Sequence, residues 1–374
     1  MNLSRRHFFI GSFAGGALPA FAAKTAPERP NVLLMLAEGL PAWVLGSYGN
    51  KEFRTPNLDR LSQMGTRFTH HFAAAPAAGV NRGTLLTGRT PMQLHDSADL
   101  RSSEITLQKL LEQQGYLQRT TDLAEAAELL NSPSTEKPFC LTLNLPPLRA
   151  PYDAPQKYQE LYGQTKFNTV NPEGADAVVT LRKAGAAITA LDDQVQSIVA
   201  KLIQSKLLER TLVIFTSTCG DLLSHHGTWG TGNTMYEEAV ATPMFWVWPG
   251  RVPAQAVRPE LISAYDLVPS LCETLSIDLP ARTLCGRSYM LLAAGKPLPK
   301  KQPWRTSVFA HYRTSGMARV PRHKLVVHDG GSSELYDLIA DPAEKVNQYE
   351  NSQFVVVRNE LTKGLAGWKG RYSA

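Results

Sequence analysis

The sequence predicts an α/β protein with one large, mostly parallel mixed β-sheet that carries helices on both faces. Three predominantly apolar runs, at residues 31–37, 139–145 and 211–217, are typical of strands buried on both sides of a parallel sheet. Between the second and the third run lies a long helical pattern at residues 186–204, in which apolar residues recur on one face. Strands that alternate with helices in this way indicate a sheet covered on both sides.

Shorter elements are predicted from turn and cap signals. A helix is expected over residues 55–65, because Pro56 suits a first helical turn and Gly65 suits an end. A second helix is expected over residues 106–114, and a further strand over residues 244–248.

The C-terminal part changes character from about residue 301. Short strands are predicted at residues 317–328 and 334–338, and a closing helix at residues 354–364. We therefore predict an α/β domain over residues 30–300 and a small α+β subdomain with a short antiparallel sheet over residues 301–374.

The first 22 residues have the anatomy of a signal peptide, since Arg5 and Arg6 precede a modest apolar run and small residues flank a cleavage point after Ala22. Residues 4–9 resemble the twin-arginine export motif. A general secretory peptide and an uncleaved membrane anchor are the alternatives. Residues 23–29 are interpreted as a linker. The expected location is the periplasm or the extracellular space.

Composition excludes several classes of protein. With 43% hydrophobic and 19% charged residues, the 374-residue chain can bury a sizeable core. The net charge of +6 comes without clustered Lys and Arg, which argues against a nucleic-acid partner. The longest apolar stretch, residues 8–23, is too short and too rich in Gly, Ser and Pro for a stable transmembrane segment.

The four cysteines are too few for a disulfide scaffold in a chain of this length. In an oxidising compartment Cys272 and Cys285 could pair across a short loop. Cys140 and Cys219 lie in strand-like contexts and are interpreted as buried small apolar residues.

Segments spread along the chain resemble, in the same order, the sulfatase family of the alkaline-phosphatase-like superfamily. They are residues 29–37, 46–49, 54–61, 65–68, 82–89, 191–195, 211–217, 226–230, 236–239, 248–250 and 335–342. The resemblance implies the sulfatase fold and hydrolysis of sulfuric esters. In the family, a hydrated formylglycine made from Cys or Ser in a Cys-x-Pro-x-Arg motif attacks the ester. A calcium or magnesium ion held by carboxylates neutralises the sulfate oxygens, and Lys and His side chains assist the leaving group.

The position of the family nucleophile is occupied by Ala78, whose methyl group cannot be oxidised to an aldehyde. Val80 stands in place of the motif's proline, and only Arg82 is retained. Arg149 stands at a family histidine position, and Thr231 at the position of a substrate lysine. The chain is therefore predicted to be a degenerate member of the family.

The four positions of the family's metal ligands are Glu38, Gly39, Thr218 and Cys219. Only Glu38 carries a carboxylate, whereas calcium requires six to eight oxygen ligands, several of them anionic. We therefore expect no metal cofactor. Aspartate at positions 39 and 218, together with histidine at position 149, is the reconstruction expected to begin restoring turnover.

Two groups remain as candidates for a vestigial anion site, Arg82 and His226. Arg82 either holds an anion or pairs with Glu38. His226, with the neighbouring His225 and Asp221, either forms a new metal site or is an ordinary loop residue, and adjacent histidines on an extended segment usually point apart. The pair Asp192–Asp193 lies within the predicted long helix and is interpreted as part of a solvated face.

The predicted function is that of an exported, catalytically inactive sulfatase homologue that binds a sulfated or other anionic glycan, or a partner protein. The alternative is an active sulfuric or phosphoric ester hydrolase with a rearranged centre around Glu38, Asp221 and His226. A third possibility is a structural protein without a ligand.

Overall fold

The computed structural model describes residues 29–131, 137–168 and 175–373. The predicted signal peptide lies outside the described residues. The large sheet contains eight strands. They are β1 (Asn31–Ala37), β2 (Thr66–Phe72), β3 (Leu117–Thr121), β4 (Phe139–Asn144), β5 (Thr211–Ser217), β6 (Ala241–Val247), β7 (Ala256–Arg258) and β8 (Ile262–Ser263).

The strand order of the large sheet is β3-β4-β1-β5-β6-β2-β7, and β8 also pairs with β2. Strands β3, β4, β1 and β5 pair in parallel, whereas β6 runs antiparallel to both β5 and β2. A second sheet has the antiparallel order β12-β11-β10-β9. Its strands are β9 (Val308–Tyr312), β10 (Ser315–Arg319), β11 (His323–His328) and β12 (Glu334–Asp337). The predicted fold class is confirmed.

Helices cover both faces of the large sheet. They are α1 (Pro56–Gln63), α2 (Ala78–Thr87), α3 (Leu107–Gln113), α4 (Leu123–Asn131), α5 (Gln156–Glu160), α6 (Ala175–Gln204), α7 (Glu237–Val240), α8 (Leu267–Leu275), α9 (Met290–Ala293) and α10 (Val355–Tyr372). Successive residues of β1 point to opposite faces, so Leu33 and Met35 pack with α6, whereas Val32 and Leu34 pack with α8 and α10. This is why the run of β1 is apolar throughout.

The longest helix begins earlier than predicted, at Ala175 instead of residue 186. Around the predicted start, residues 184–187 are all alanine or glycine where a core stripe would be expected. A Cβ on Gly185 would lie 2.6 Å from the ring of Tyr162, which shows how closely that ring packs against the helix backbone. Large apolar residues do not fit there, so the hydrophobic pattern fades although the helix continues.

The prediction that Asp192 and Asp193 form a solvated face is wrong for Asp192, which is fully buried. The Asp192 carboxylate accepts hydrogen bonds from the backbone N–H groups of Asn57 (3.1 Å) and Leu58 (2.7 Å) in the first turn of α1. An acid that satisfies these otherwise unpaired donors caps α1 from the neighbouring helix. Asp193 remains exposed.

The four cysteines are unpaired in the structure, including Cys272 and Cys285. Cys140 and Cys219 are buried, as predicted. Burial raises the pKa of Cys140 to about 12 and that of Cys272 to about 11. Within residues 29–131, 137–168 and 175–373, no helix combines the length and the apolar character needed to cross a bilayer.

A buried ionic network joins the small sheet to α7, the helix that leads into β6. Lys324 of β11 is fully buried, forms an ion pair with Glu344, and lies 3.3 Å from a carboxylate oxygen of Glu237 at the start of α7. Its ammonium group also donates to the carbonyl of Met235 (2.7 Å).

The boundary at residue 300 between the α/β domain and the C-terminal subdomain remains a prediction.

Candidate functional site

Several of the predicted site positions lie at the carboxyl edge of the large sheet. Glu38 follows β1, Asn144 ends β4, and Thr218 follows β5. Because β6 is antiparallel to both of its neighbours, β2 runs in the same direction as β5 and leads to the start of α2 at this edge. Open α/β sheets bind ligands in this place, outside the carboxyl ends of their strands.

Ala78 is the first residue of α2 and is half-buried. The backbone of the preceding residue is extended, and no side chain caps the helix. The helix is fixed by Asn81, which is completely buried. Its Oδ1 accepts a hydrogen bond from the N–H of Ala74 (2.8 Å), and its Nδ2 donates to the carbonyl of Thr218 (2.7 Å). Sequence reasoning missed Asn81, although an amide next to a retained arginine was an available signal.

Arg82 does not pair with Glu38. Its Nη1 donates a hydrogen bond to Oδ1 of Asn144 at 2.6 Å, and the side chain is half-buried. The predicted pairing fails because the amide at the end of β4 provides the acceptor. The guanidinium is thereby held at the carboxyl edge of the sheet.

Glu38 instead faces Arg149, with 3.9 Å between a carboxylate oxygen and Nη1. The two side chains are 31% and 72% exposed. A hydrogen bond of 2.8 Å from the N–H of Leu148 to the carbonyl of Glu38 fixes this segment against the end of β1.

Gly39 has a backbone conformation that excludes the family's aspartate. Its φ is +79°, and a Cβ at this position would lie 2.1 Å from the carbonyl oxygen of Leu148. The expectation that an aspartate at position 39 would help to rebuild the site is therefore wrong for this backbone. Restoring the carboxylate would also require the segment around Leu148 to move.

The residues after β5 form hydrogen bonds with each other and with β1. The N–H of Thr218 donates to the carbonyl of Ala37 (2.9 Å), and the hydroxyl of Ser217 donates to the carbonyl of Cys219 (2.7 Å). Cys219 is 3% exposed, and burial, opposed by a backbone hydrogen bond from Gly39, raises its pKa to about 12. Such a thiol stays protonated and is a poor nucleophile or ligand for a hard cation.

The donor set does not fit the calcium or magnesium ion of the family. Glu38 contributes one carboxylate, which faces an arginine, while Gly39, Thr218 and Cys219 contribute no anionic oxygen. Within the part of the chain that the structure describes, no three His, Cys, Asp or Glu side chains are arranged to hold a metal ion.

The Asp221 carboxylate is held by one tyrosine hydroxyl and two backbone N–H groups. It accepts hydrogen bonds from the hydroxyl of Tyr152 (2.6 Å) and from the N–H groups of Leu223 (2.9 Å) and Gly230 (2.8 Å). The residue is 1% exposed, and burial raises its pKa although these hydrogen bonds oppose the change. Asp221 therefore shapes the loop after β5.

His225 and His226 do not point apart, contrary to the prediction. Both approach Glu238, with 3.0 Å from Nδ1 of His225 and 3.6 Å from Nε2 of His226 to its carboxylate oxygens. A left-handed backbone at His226 (φ +54°) turns the two rings to the same side. Burial favours a higher pKa for Glu238, but the two neighbouring imidazoles outweigh it and lower the pKa.

The rearranged centre of the alternative hypothesis is not assembled. Asp221 contacts Tyr152 and backbone amides, whereas His226 contacts Glu238 and stacks on Tyr236 with ring centroids 3.6 Å apart. Glu38 pairs with Arg149. Among the described residues, these three candidates make separate sets of contacts.

A family model described as sulfatase matches residues 30–123 and 117–277, which is more than half of the chain. The chain belongs to the sulfatase family. A second model, the C-terminal part of N-sulphoglucosamine sulphohydrolase, matches residues 225–370 of this sulfatase-family chain.

Relatives of this sulfatase-family chain include two vertebrate enzymes. Steryl-sulfatase of Mus musculus is 43% identical over 108 residues, which are 25% of this chain and 17% of that protein. Arylsulfatase A of Homo sapiens is 27% identical over 440 residues, covering 88% of this chain and 85% of that protein. The phosphonate monoester hydrolase of Agrobacterium radiobacter has the same fold, with a TM-score of 0.82 at 18% identity over 92% of this chain and 96% of that one.

Proposed function

We propose that this sulfatase-family chain is exported, has lost hydrolytic activity, and binds a sulfated or other anionic glycan without cleaving it. One observation carries the loss of activity. The first residue of α2, where the family's nucleophile stands, is Ala78. An alanine side chain can form no covalent intermediate with a sulfate ester.

The surroundings of Ala78 support the same conclusion. A single carboxylate remains of the four metal-ligand positions, and it faces Arg149. No substitute centre of Glu38, Asp221 and His226 forms among the described residues, which removes the support for the rearranged hydrolase. Each missing catalytic group corresponds to several kcal/mol of transition-state stabilisation, and such losses together leave no useful rate.

The ligand class follows from two features. Two guanidinium groups, Arg82 and Arg149, are available at the carboxyl edge of the sheet, and guanidinium groups suit sulfate and phosphate oxygens. The C-terminal match is to N-sulphoglucosamine sulphohydrolase, whose name specifies an N-sulfated glucosamine. An N-sulfated saccharide is therefore the first ligand to test for this chain.

The first prediction concerns metal content. Purified from its own compartment, the protein is expected to carry no stoichiometric calcium or magnesium, because Gly39, Thr218 and Cys219 offer no anionic oxygen. Elemental analysis measures the ions, and thermal unfolding with and without EDTA should give the same Tm. One bound divalent ion per chain, with a lower Tm in EDTA, would revive the active-hydrolase interpretation.

The second prediction concerns export. Replacing both Arg5 and Arg6 by lysine should retain the precursor in the cytoplasm, because the twin-arginine route requires the arginine pair. Cell fractionation and blotting of the two precursors side by side measure the effect. Unimpaired export of the lysine variant would indicate the general secretory route, and retention of both proteins would contradict export altogether.

A further inference from the structure

Arg149 and Glu38 occupy a region where the family holds a cation. The Arg149 guanidinium is 72% exposed, and its Nη1 lies 3.9 Å from a carboxylate oxygen of Glu38. The backbone beneath both side chains is fixed by the hydrogen bond from Leu148 to Glu38. An arginine therefore meets the only carboxylate left among the four metal-ligand positions.

Arg82 belongs to α2, and its side chain reaches the end of the neighbouring strand β4. Its Nη1 is bound to Asn144, and Asn144 is the partner of Leu36 in the parallel register of β4 and β1. Glu38 follows Leu36 by two residues, so the partners of the two guanidinium groups, Asn144 and Glu38, are neighbours at the carboxyl edge. A guanidinium has five N–H donors, and Asn144 uses one nitrogen of Arg82.

The charges of these groups determine what the edge can attract. Arg82 and Arg149 are positive and Glu38 is negative, which leaves one net positive charge. The pair of Glu38 and Arg149 is long and largely exposed, and such pairs contribute little stability. An anion with better geometry can therefore displace Glu38 from the Arg149 guanidinium.

We infer that Arg149 replaces the cation in binding a sulfate ester, and that Glu38 competes with the ester for Arg149. This inference rests on the proposed function, because it names the groups that hold the anionic ligand. It includes no bond-breaking step. Binding is independent of divalent metal and is mediated by charge-assisted hydrogen bonds from the two arginines.

Competition between Glu38 and the ligand reverses the expected effect of a Glu38 substitution on ligand affinity. If a cation bridged Glu38 to the sulfate, Glu38→Gln would weaken binding. When Glu38 instead competes with the ligand, the same substitution removes a repulsive charge and frees Arg149, so binding becomes tighter. The direction of this single change distinguishes the two arrangements.

The experiment uses the full exported chain and an N-sulfated heparin-derived disaccharide, titrated by calorimetry in buffer that contains EDTA. Arg149→Ala should weaken binding about tenfold or more, and Arg149→Lys should recover only part of the loss, because lysine lacks bidentate geometry. Glu38→Gln should tighten binding about two- to fivefold. Arg251→Ala, which removes an exposed arginine far along the sequence, is the control and should leave the Kd unchanged. Inorganic sulfate should compete with the disaccharide.

Two results would overturn the inference while the proposed function stands. These are weaker binding by Glu38→Gln or an unchanged Kd for Arg149→Ala. Absence of binding by the wild-type chain at millimolar disaccharide would instead remove the proposed ligand and this inference together. Because Arg149 and Glu38 are both solvent-accessible, the variants should fold, and the Tm of each one verifies this.

Discussion

Replacement of Lys324 by methionine is expected to lower the free energy of unfolding by about 3–5 kcal/mol, because it leaves the buried carboxylate of Glu344 without a counter-charge. Lys324 is completely buried and pairs with Glu237 and Glu344. Methionine is similar in volume to lysine, so the lost stability reflects the missing charge and not a cavity. Urea unfolding at pH 7 measures the difference.

The effect of this substitution should also depend on pH. Burial raises the pKa of Glu344 to about 7, although Lys324 opposes the change. A carboxyl whose pKa is raised in the folded state makes stability fall as pH rises from the unfolded value towards the folded one. Without Lys324 the folded pKa rises further, so the deficit should be larger at pH 8 than at pH 6.

Lys296→Met, at an exposed lysine, is the matched control and should change stability by less than about 0.5 kcal/mol. A deficit of the same small size for Lys324→Met would mean that the ionic network around Lys324 contributes little to the free energy of unfolding. A deficit that shrinks with rising pH would contradict the assignment of Glu344.

The double variant Ala78→Cys with Val80→Pro is expected to show no measurable hydrolysis of an aryl sulfate, even when the modifying enzyme is present. It restores a Cys-x-Pro-x-Arg motif that ends at Arg82. The variant should fold, because Val80 lies in the first turn of α2, where proline is tolerated. An aldehyde hydrate also needs a cation to help ionise it and to neutralise the sulfate oxygens. Glu38 alone cannot hold that cation.

The leaving group adds a second obstacle for this variant. Arg149 stands where the family has a histidine, and a guanidinium does not deliver a proton at neutral pH. Gly39 blocks the simplest wider repair, because a side chain at this residue would meet the carbonyl oxygen of Leu148. Recovery of turnover therefore requires a changed backbone as well as new side chains.

The central strands could be predicted because burial on both faces requires an apolar residue at nearly every position. Each face of β1 meets a separate core, so Leu33 and Leu34 must both be apolar, and the run stands out. The part of α6 before residue 186 was missed because the Tyr162 ring packs against Gly185 and small residues interrupt the apolar stripe there. This contact joins two separate segments of the chain, so the sequence around residue 185 alone does not reveal it.

In the candidate site, too, the missing chemical groups could be predicted from the sequence, whereas the backbone conformations could not. The identities of Ala78 and Arg149 indicate a missing nucleophile and a missing proton donor from the motifs alone. The positive φ values of Gly39 and His226 were not predictable. A contact with Leu148, which is distant in the sequence, accompanies the conformation of Gly39, and a contact with Glu238 accompanies that of His226. Because of these backbone conformations, an aspartate does not fit at position 39, and both histidines approach the carboxylate of Glu238.

Hydrolysis of nitrophenyl sulfate by the Ala78→Cys, Val80→Pro variant is the most direct test of the account. The variant is produced with the modifying enzyme, beside an intact sulfatase that proves the enzyme works, and mass spectrometry confirms the aldehyde at residue 78. With the aldehyde formed and calcium supplied, we expect a rate no higher than that of the wild-type chain. Turnover above that rate, lost again in EDTA, would show that the chain lacks only its nucleophile and that the cation site and proton donor remain functional.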